Sequence, residues 1–196
     1  DHDSDSFSET TTASFSTDFY LGSVDGGTVM TDDALNATYS FQIDLSTSFT
    51  GEDSLDVSID AGNAEAAGTV EFGGNTGSAG LTVDGIAYTF PVGDKFTAFV
   101  GDSVDGSSLY STACVYGGPS ATLDDCGNVS SAIGSGAGTA AGASYDIGNG
   151  FTAAVGYTGD GATTNGLMTQ EGLDSYGAQV SYAADSFGAS LSYADV

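Results

Sequence analysis

A serine flanked by small residues, one histidine, two cysteines and a crowd of carboxylates are the groups with which this chain could do chemistry. Gly101-Asp102-Ser103 has the look of a serine-hydrolase block, but a nucleophilic serine needs a positioned base. The chain's one histidine is His2, in an acidic tail. Zinc meets the same obstacle, since one His and two Cys do not furnish a structural site. No pair among the 27 Asp and Glu residues is set apart by its context as a glycosidase couple. The expectation is a protein that is not an enzyme. Hard cations fit better. Asp1, Asp3 and Asp5 alternate like a calcium loop, yet Ser6 stands where that loop needs Gly and Thr12 where it needs Glu. Asp32-Asp33, Glu52-Asp53 and Asp124-Asp125 each place two carboxylates at a turn, where they either serve calcium or are simply solvated. His2 beside an amino terminus suits copper or nickel, or is an exposed tail residue. Asn36-Ala-Thr and Asn128-Val-Ser match the glycosylation sequon, a short pattern that arises readily by chance.

Charge narrows the partners. One basic residue of the Lys/Arg type, Lys95, faces the 27 acids, for a formal net charge of −26. Such a chain repels a phosphate backbone, so nucleic acid is excluded as a partner. Acidity on this scale accompanies disorder when aromatic and β-branched residues are few. Here 10 Tyr and 11 Phe, mostly at alternating positions, argue for a folded domain. Cys114 and Cys126 flank the Gly/Pro/Asp-rich segment VYGGPSATLDD. Closing that loop suits a disulfide in an oxidising compartment, with two buried thiols as the alternative.

The elements that must position these groups read as strands. Ala141–Tyr157 folds about Gly148-Asn149-Gly150 with Ala141, Ala143, Tyr145, Ile147, Phe151, Ala153, Val155 and Tyr157 on one side. Gly142, Ser144, Asp146, Thr152, Ala154 and Gly156 take the other side, as period-two alternation dictates. The pattern returns at Tyr176–Tyr182 and Phe187–Tyr193. It is clear again at Asn36–Phe49, where Tyr39, Phe41, Ile43 and Leu45 alternate with Ser40, Gln42, Asp44 and Ser46. Ala13–Leu21, Leu55–Ile59, Val70–Phe72, Leu81–Phe90 and Phe96–Val100 complete the set, with a bulge or bend expected at Asp84-Gly85. Residues 102–138 and Gly159–Gly172 read as long loops. The prediction is an all-β fold: an antiparallel meander of about ten short strands, a barrel or barrel-like, with an acidic arm at 1–12 and one β domain over 13–196. Alternation covers about seven to nine residues per strand, slightly under the 9–11 of a membrane-spanning strand.

Several blocks together resemble one family. FSETTTASFSTDFYLG, FQIDLSTSFTGEDSLDVSIDAGNA, LTVDGIAYTFPVGDKFTAFVGDS, YGGPSATLDDCGN and SYDIGNGFTAAVGYTGDG with the segments after it occur in order over most of Phe7–Ala194. They resemble the outer-membrane porins of marine cyanobacteria that carry an S-layer-homology domain ahead of the barrel, the carbohydrate-selective and iron-uptake porin type. The resemblance implies a transmembrane antiparallel barrel for passive passage of small solutes, located in the outer membrane and trimeric by analogy with porins generally.

In that reading Ser40, Gln42, Asp44, Ser46, Ser144, Asp146 and Thr152 line the pore, and the loop closed by Cys114 and Cys126 constricts or caps it. An acid-rich lumen favours cations. The rival expectation is a secreted structural protein at the cell surface, a subunit of an extracellular filament or sheath. There an arm carrying Ser8, Thr12, Phe15, Phe19 and Leu21 would pair with a neighbouring copy's sheet edge. A soluble carbohydrate- or calcium-binding module ranks last, having no aromatic platform.

Overall fold

The computed structural model describes residues 10–22, 35–63, 66–67, 70–71, 78–111, 137–160 and 165–196. These form eleven strand segments and, among the described residues, no helix. They are β1 (Thr11–Gly22), β2 (Asn36–Thr47), β3 (Ser54–Gly62), β4 (Ala66–Ala67), β5 (Val70–Glu71), β6 (Ser78–Val92), β7 (Phe96–Val104), β8 (Gly138–Gly148), β9 (Phe151–Asp160), β10 (Leu173–Ala183) and β11 (Gly188–Asp195). Nine of them hydrogen-bond in one antiparallel meander, in the order β1-β2-β3-β6-β7-β8-β9-β10-β11, and β4 pairs with β5. The all-β meander is therefore present. β1 and β11 end the order with one paired neighbour each, so among the described residues the sheet is not a closed barrel.

Most strands of the meander are longer than expected: β1 and β2 have 12 residues, β6 has 15, β8 and β10 have 11. Alternation undercounts because the ladder continues through polar or glycine-rich ends such as Ser78-Ala79-Gly80 and Gly138-Thr139-Ala140. For the same reason the two long loops shrink, with β7 reaching Val104 and β9 reaching Asp160. β6 runs on through Asp84-Gly85, where a bulge or bend was expected. Register irregularities lie on β7 between Gly101 and Val104, where Ser103 takes a positive φ of 55°, and on β8 between Asp146 and Gly148.

By contacts the chain forms two compact units. The first comprises Asp1–Leu45, Val57–Asp84 and Val115–Cys126; the second comprises Ser46–Asp56, Gly85–Cys114 and Gly127–Val196. In the first, the start of β2 is tied to the end of β3: Asn63 N–H donates to the Tyr39 carbonyl at 3.2 Å, and Tyr39 N–H donates to Asn63 Oδ1 at 2.8 Å. Phe15, Phe19, Leu21, Leu81 and Val83 are exposed.

The second unit holds the clearest hairpin. Gly148 pairs with Phe151 across Asn149 and Gly150, whose φ angles are 56° and 86°. Two successive positive φ values make the turn whose twist matches flanking strands, and Asn-Gly is the sequence that adopts it at least cost. That turn fixes the register of β8 on β9, and hence which side chains share a face.

Polar side chains are among the most covered on these strands. In β9 and β10 the buried positions include Thr158 (1 % exposed), Ser175 (1 %), Gln179 (3 %) and Ser181 beside Ala154 and Tyr157, while Val155 and Val180 are 56 % and 51 % exposed. On β11, Leu191 reaches 79 %. Aromatic contacts mark two levels of the apolar face. Near the hairpin turns Phe96 meets Tyr145 at 4.6 Å, and Phe151 meets Tyr182 at 4.7 Å. Toward the other end Tyr157 meets Tyr176 at 5.3 Å. Small and aliphatic residues (Ala98, Val100, Ala141, Ala143, Val155) lie between.

Candidate functional site: a polar sheet face and the loop folded onto it

Within the first unit the polar face of β2 centres on Asp44. Its carboxylate accepts from Gln42 Nε2 and Ser58 Oγ, both at 2.7 Å, and from Ser14 Oγ at 3.5 Å. Ser40 is buried, and Thr82 Oγ1 donates to Asp60 Oδ1 at 2.8 Å. Hydroxyl and amide donors thus hold the carboxylates of this face.

In the second unit, residues Asp105–Ser111 leave β7 and fold onto the polar face of β8, β9 and β10. Three glycines prepare that surface. Phe99 stands opposite Gly142, Gly142 opposite Gly156, and Gly156 opposite Gly177. Directly opposed residues share a face, so the row is a trench without side chains beside the Phe99 ring. A Cβ on Gly142 would lie 2.5 Å from Phe99 Cε1 and 3.3 Å from the Gly106 carbonyl oxygen. The loop lies equally close at its own glycine, where a Cβ would come within 2.6 Å of the Tyr157 carbonyl.

Side chains of the polar face then fasten the loop. Gly106 N–H donates to Thr158 Oγ1 at 2.7 Å. Ser111 N–H donates to Gln179 Oε1 at 2.7 Å, Gln179 Nε2 returns a bond to the Ser111 carbonyl at 3.2 Å, and the two hydroxyls of Ser111 and Ser181 meet at 3.0 Å. Gln179 Nε2 also reaches Ser192 Oγ on β11 at 3.0 Å. Inside the loop, Asp105 Oδ1 accepts from Ser107 N–H at 2.8 Å and Ser107 Oγ at 2.7 Å. Asp105 Oδ2 is buried without a hydrogen-bond partner, and the buried Tyr110 hydroxyl lies beside the Gly156 backbone without a hydrogen bond of ordinary geometry. Burial, and after it the Asp105 charge, push the Tyr110 phenol above its ordinary value.

The candidate lining residues therefore fall on β2 and on the β8–β9 hairpin. Ser144 stands opposite Thr97 and Ala154, and Asp146 opposite Thr152. The Asp146 carboxylate accepts from Gly148 N–H at 2.8 Å and so stabilises the hairpin turn. Of the acidic turns, Glu52 is exposed, but Asp53 is not the solvated residue its position suggested. Its Oδ1 accepts from Ser48 Oγ, Phe49 N–H, Thr50 N–H and Thr50 Oγ1, and its Oδ2 from the Tyr88 hydroxyl at 2.6 Å. Those donors hold the carboxyl well below its usual range, the Tyr88 bond most of all. Its oxygens are occupied by the protein's own donors, which leaves no ready place there for calcium.

Thr12, Phe15, Phe19 and Leu21 lie in β1, paired with β2 of the same chain. Tyr157 departs from the exposed pattern of its face: it packs against Tyr176, and its hydroxyl donates to Asp174, which also accepts from Met168 N–H. Ser8, His2, Asp32-Asp33, Asp124-Asp125, Asn128 and both cysteines lie outside the described residues, as does the side chain of Asn36. The residues that sequence reasoning missed are Asp105, Ser107, Tyr110, Ser111, Thr158, Ser175, Gln179 and Ser181. The available signal was Gly142 and Gly156, which alternation already assigned to one side and which Gly177, between Tyr176 and Ala178, extends. Compared with protein-family models, curated proteins and solved structures, the chain matches none.

Proposed function

We propose that the chain forms the wall of a porin-like outer-membrane β-barrel that passes small solutes and prefers cations. The observation that carries this reading is the inverted burial: Thr158, Ser175 and Gln179 are covered while Val155, Val180 and Leu191 are not. Leaving one such aliphatic side chain in water forfeits roughly 1.5–3 kcal/mol. A handful of them matches the whole ~5–15 kcal/mol stability of a domain, so hydrocarbon is the natural cover for this face. Strands of 9–12 residues suit a tilted span, and paired aromatic rings at two levels suit the interfacial girdles of such barrels. Among the described residues β1 and β11 end the sheet, and in this reading further strands, a second copy's included, would complete the wall there. A filament built by donation of the N-terminal arm has less support, because β1 is already paired within its own chain.

The test is insertion into planar bilayers of protein purified in detergent. Conductance with a cation-biased reversal potential is expected. Asp44→Asn and Asp146→Asn should each reduce that bias. Protein that stays dispersed without detergent and conducts nothing would defeat the proposal. Val180→Lys sharpens it: about 2–4 kcal/mol is lost if the position meets the bilayer midplane, and almost none in water.

A further inference from the structure

The chain's single Lys/Arg residue stands at the edge of the apolar face. Lys95 is exposed at the β6–β7 turn, and its Nζ lies 5.8 Å from the centre of the Tyr145 ring. Despite the 27 acids, it forms no ion pair with a carboxylate among the described residues. Asp146, whose N–H donates to the Lys95 carbonyl at 2.9 Å, turns its carboxylate to Gly148 N–H instead. Tyr145 belongs to the apolar face, so the ammonium is on the side that Val155 and Val180 share. The hairpin ends carry further rings there: Phe96 against Tyr145, Phe151 against Tyr182, and Tyr182 against Phe187 at 5.7 Å. Aromatic rings at one level, with a long cationic side chain among them, suit a membrane–water interface.

Beyond these rings the apolar face dips. Ala98, Ala141, Ala143 and Val155 line a depression of about 520 Å³, with Tyr157 and Tyr176 at the end away from Lys95. On β8, Ala143 and Ala141 follow Tyr145 in steps of two, and Ala141 stands opposite Tyr157. From the Tyr145 level to the Tyr157 level is therefore about 14 Å of strand. A run of methylenes suits the depression, and a phosphate suits the ammonium at its end. We propose that a phospholipid binds here, its headgroup phosphate on Lys95 and one acyl chain along Ala143 and Ala141. The inference rests on the porin reading, because a membrane is what brings phospholipid to this face. A net charge of −26 repels anionic headgroups, which leaves the unpaired ammonium as the attractive point.

Native mass spectrometry of the full chain in detergent tests it, with phosphatidylglycerol as titrant and diacylglycerol of the same chains as control. Wild type should take up one phosphatidylglycerol saturably, and diacylglycerol more weakly. Lys95→Gln should weaken the phosphatidylglycerol complex roughly fivefold, the worth of one lysine at an anionic surface. Lys95→Arg should retain it, since a guanidinium also pairs with phosphate. Ala143→Phe, which fills the depression and leaves Lys95 in place, should weaken the binding of both lipids. Equal phosphatidylglycerol affinity in wild type and Lys95→Gln overturns the inference. So does diacylglycerol bound as tightly as phosphatidylglycerol, and so do unchanged affinities in Ala143→Phe. Conductance in planar bilayers reads the porin proposal separately: a conducting protein whose affinity ignores Lys95 loses this site alone. A protein that stays dispersed without detergent and takes up no lipid loses both.

Discussion

Two aspartate–tyrosine pairs in the second unit organise two loops in opposite ways. At the β2–β3 turn, every oxygen is answered: Asp53 Oδ1 gathers the turn's backbone and hydroxyl donors, and Oδ2 takes the Tyr88 hydroxyl. At the loop after β7, Asp105 fastens its own turn through Oδ1 alone, and Tyr110 turns its hydroxyl to the Gly156 backbone rather than to Oδ2. The two carboxylates belong to the same residue type and both start a tight turn or close one. What separates them is the partner's placement. Tyr88 arrives from β6 with its hydroxyl aimed at the carboxylate, whereas Tyr110 comes from the same loop, against Ala154. The first pair completes a structural clasp. The second leaves one carboxylate oxygen outside the turn's own hydrogen bonds, so its loop depends more on Thr158 and Gln179 of the sheet beneath it.

The largest effect expected is from Gly106→Ala, which adds a Cβ within 2.6 Å of the Tyr157 carbonyl and 2.8 Å of Thr158 Oγ1. The obstacle is strand backbone, so the Asp105 loop must lift, at a cost of about 1–3 kcal/mol or more. The Asp53 clasp should be untouched. Limited proteolysis distinguishes the outcomes: cleavage confined to the Asp105 loop keeps the two regions independent, and cleavage at both turns would break the comparison. Next is Gln179→Ala, which removes the bonds to Ser111 and Ser192 and empties a buried position. About 2 kcal/mol should be lost in denaturant unfolding. A conductance that rises in this variant would also place the loop across the solute's path.

The elements that were legible in the sequence are those with a strict period of two and an unambiguous turn. Ala141–Tyr157 is the example: Asn149-Gly150 sets the register, and the register sets the faces. Boundaries were less legible because hydrogen bonds continue past the last alternating residue, as at Thr11 and Gly138. The loop after β7 was illegible for a different reason. Its order comes from Gly106 meeting Thr158 and Ser111 meeting Gln179, contacts between residues 52 and 68 positions apart. Local composition reports only Ser, Gly and Asp there. Asp53 misled in the same way. A turn aspartate reads as solvated until Tyr88, 35 positions on, is known to donate to it.

The mildest test of the contrast is acid. Asp53 has its carboxyl held below the ordinary value by Tyr88 and the turn's donors, so the folded state binds that proton less readily than the unfolded chain. The stability it contributes is fully present above the unfolded value, about pH 3.9, and is lost as pH falls through the lower folded value. Between pH 5 and pH 8, titration of Asp53 should therefore leave the β2–β3 turn unchanged, with loss of amide protection at Phe49 and Thr50 beginning only below about pH 4. Asp53→Asn should weaken that protection at every pH and remove its acid dependence. Amide hydrogen exchange followed by mass spectrometry reads both. Protection at Phe49 and Thr50 that already fades near pH 6 would mean that Tyr88 does not hold the ionised carboxylate, and the clasp would then be no more complete than its counterpart at Asp105.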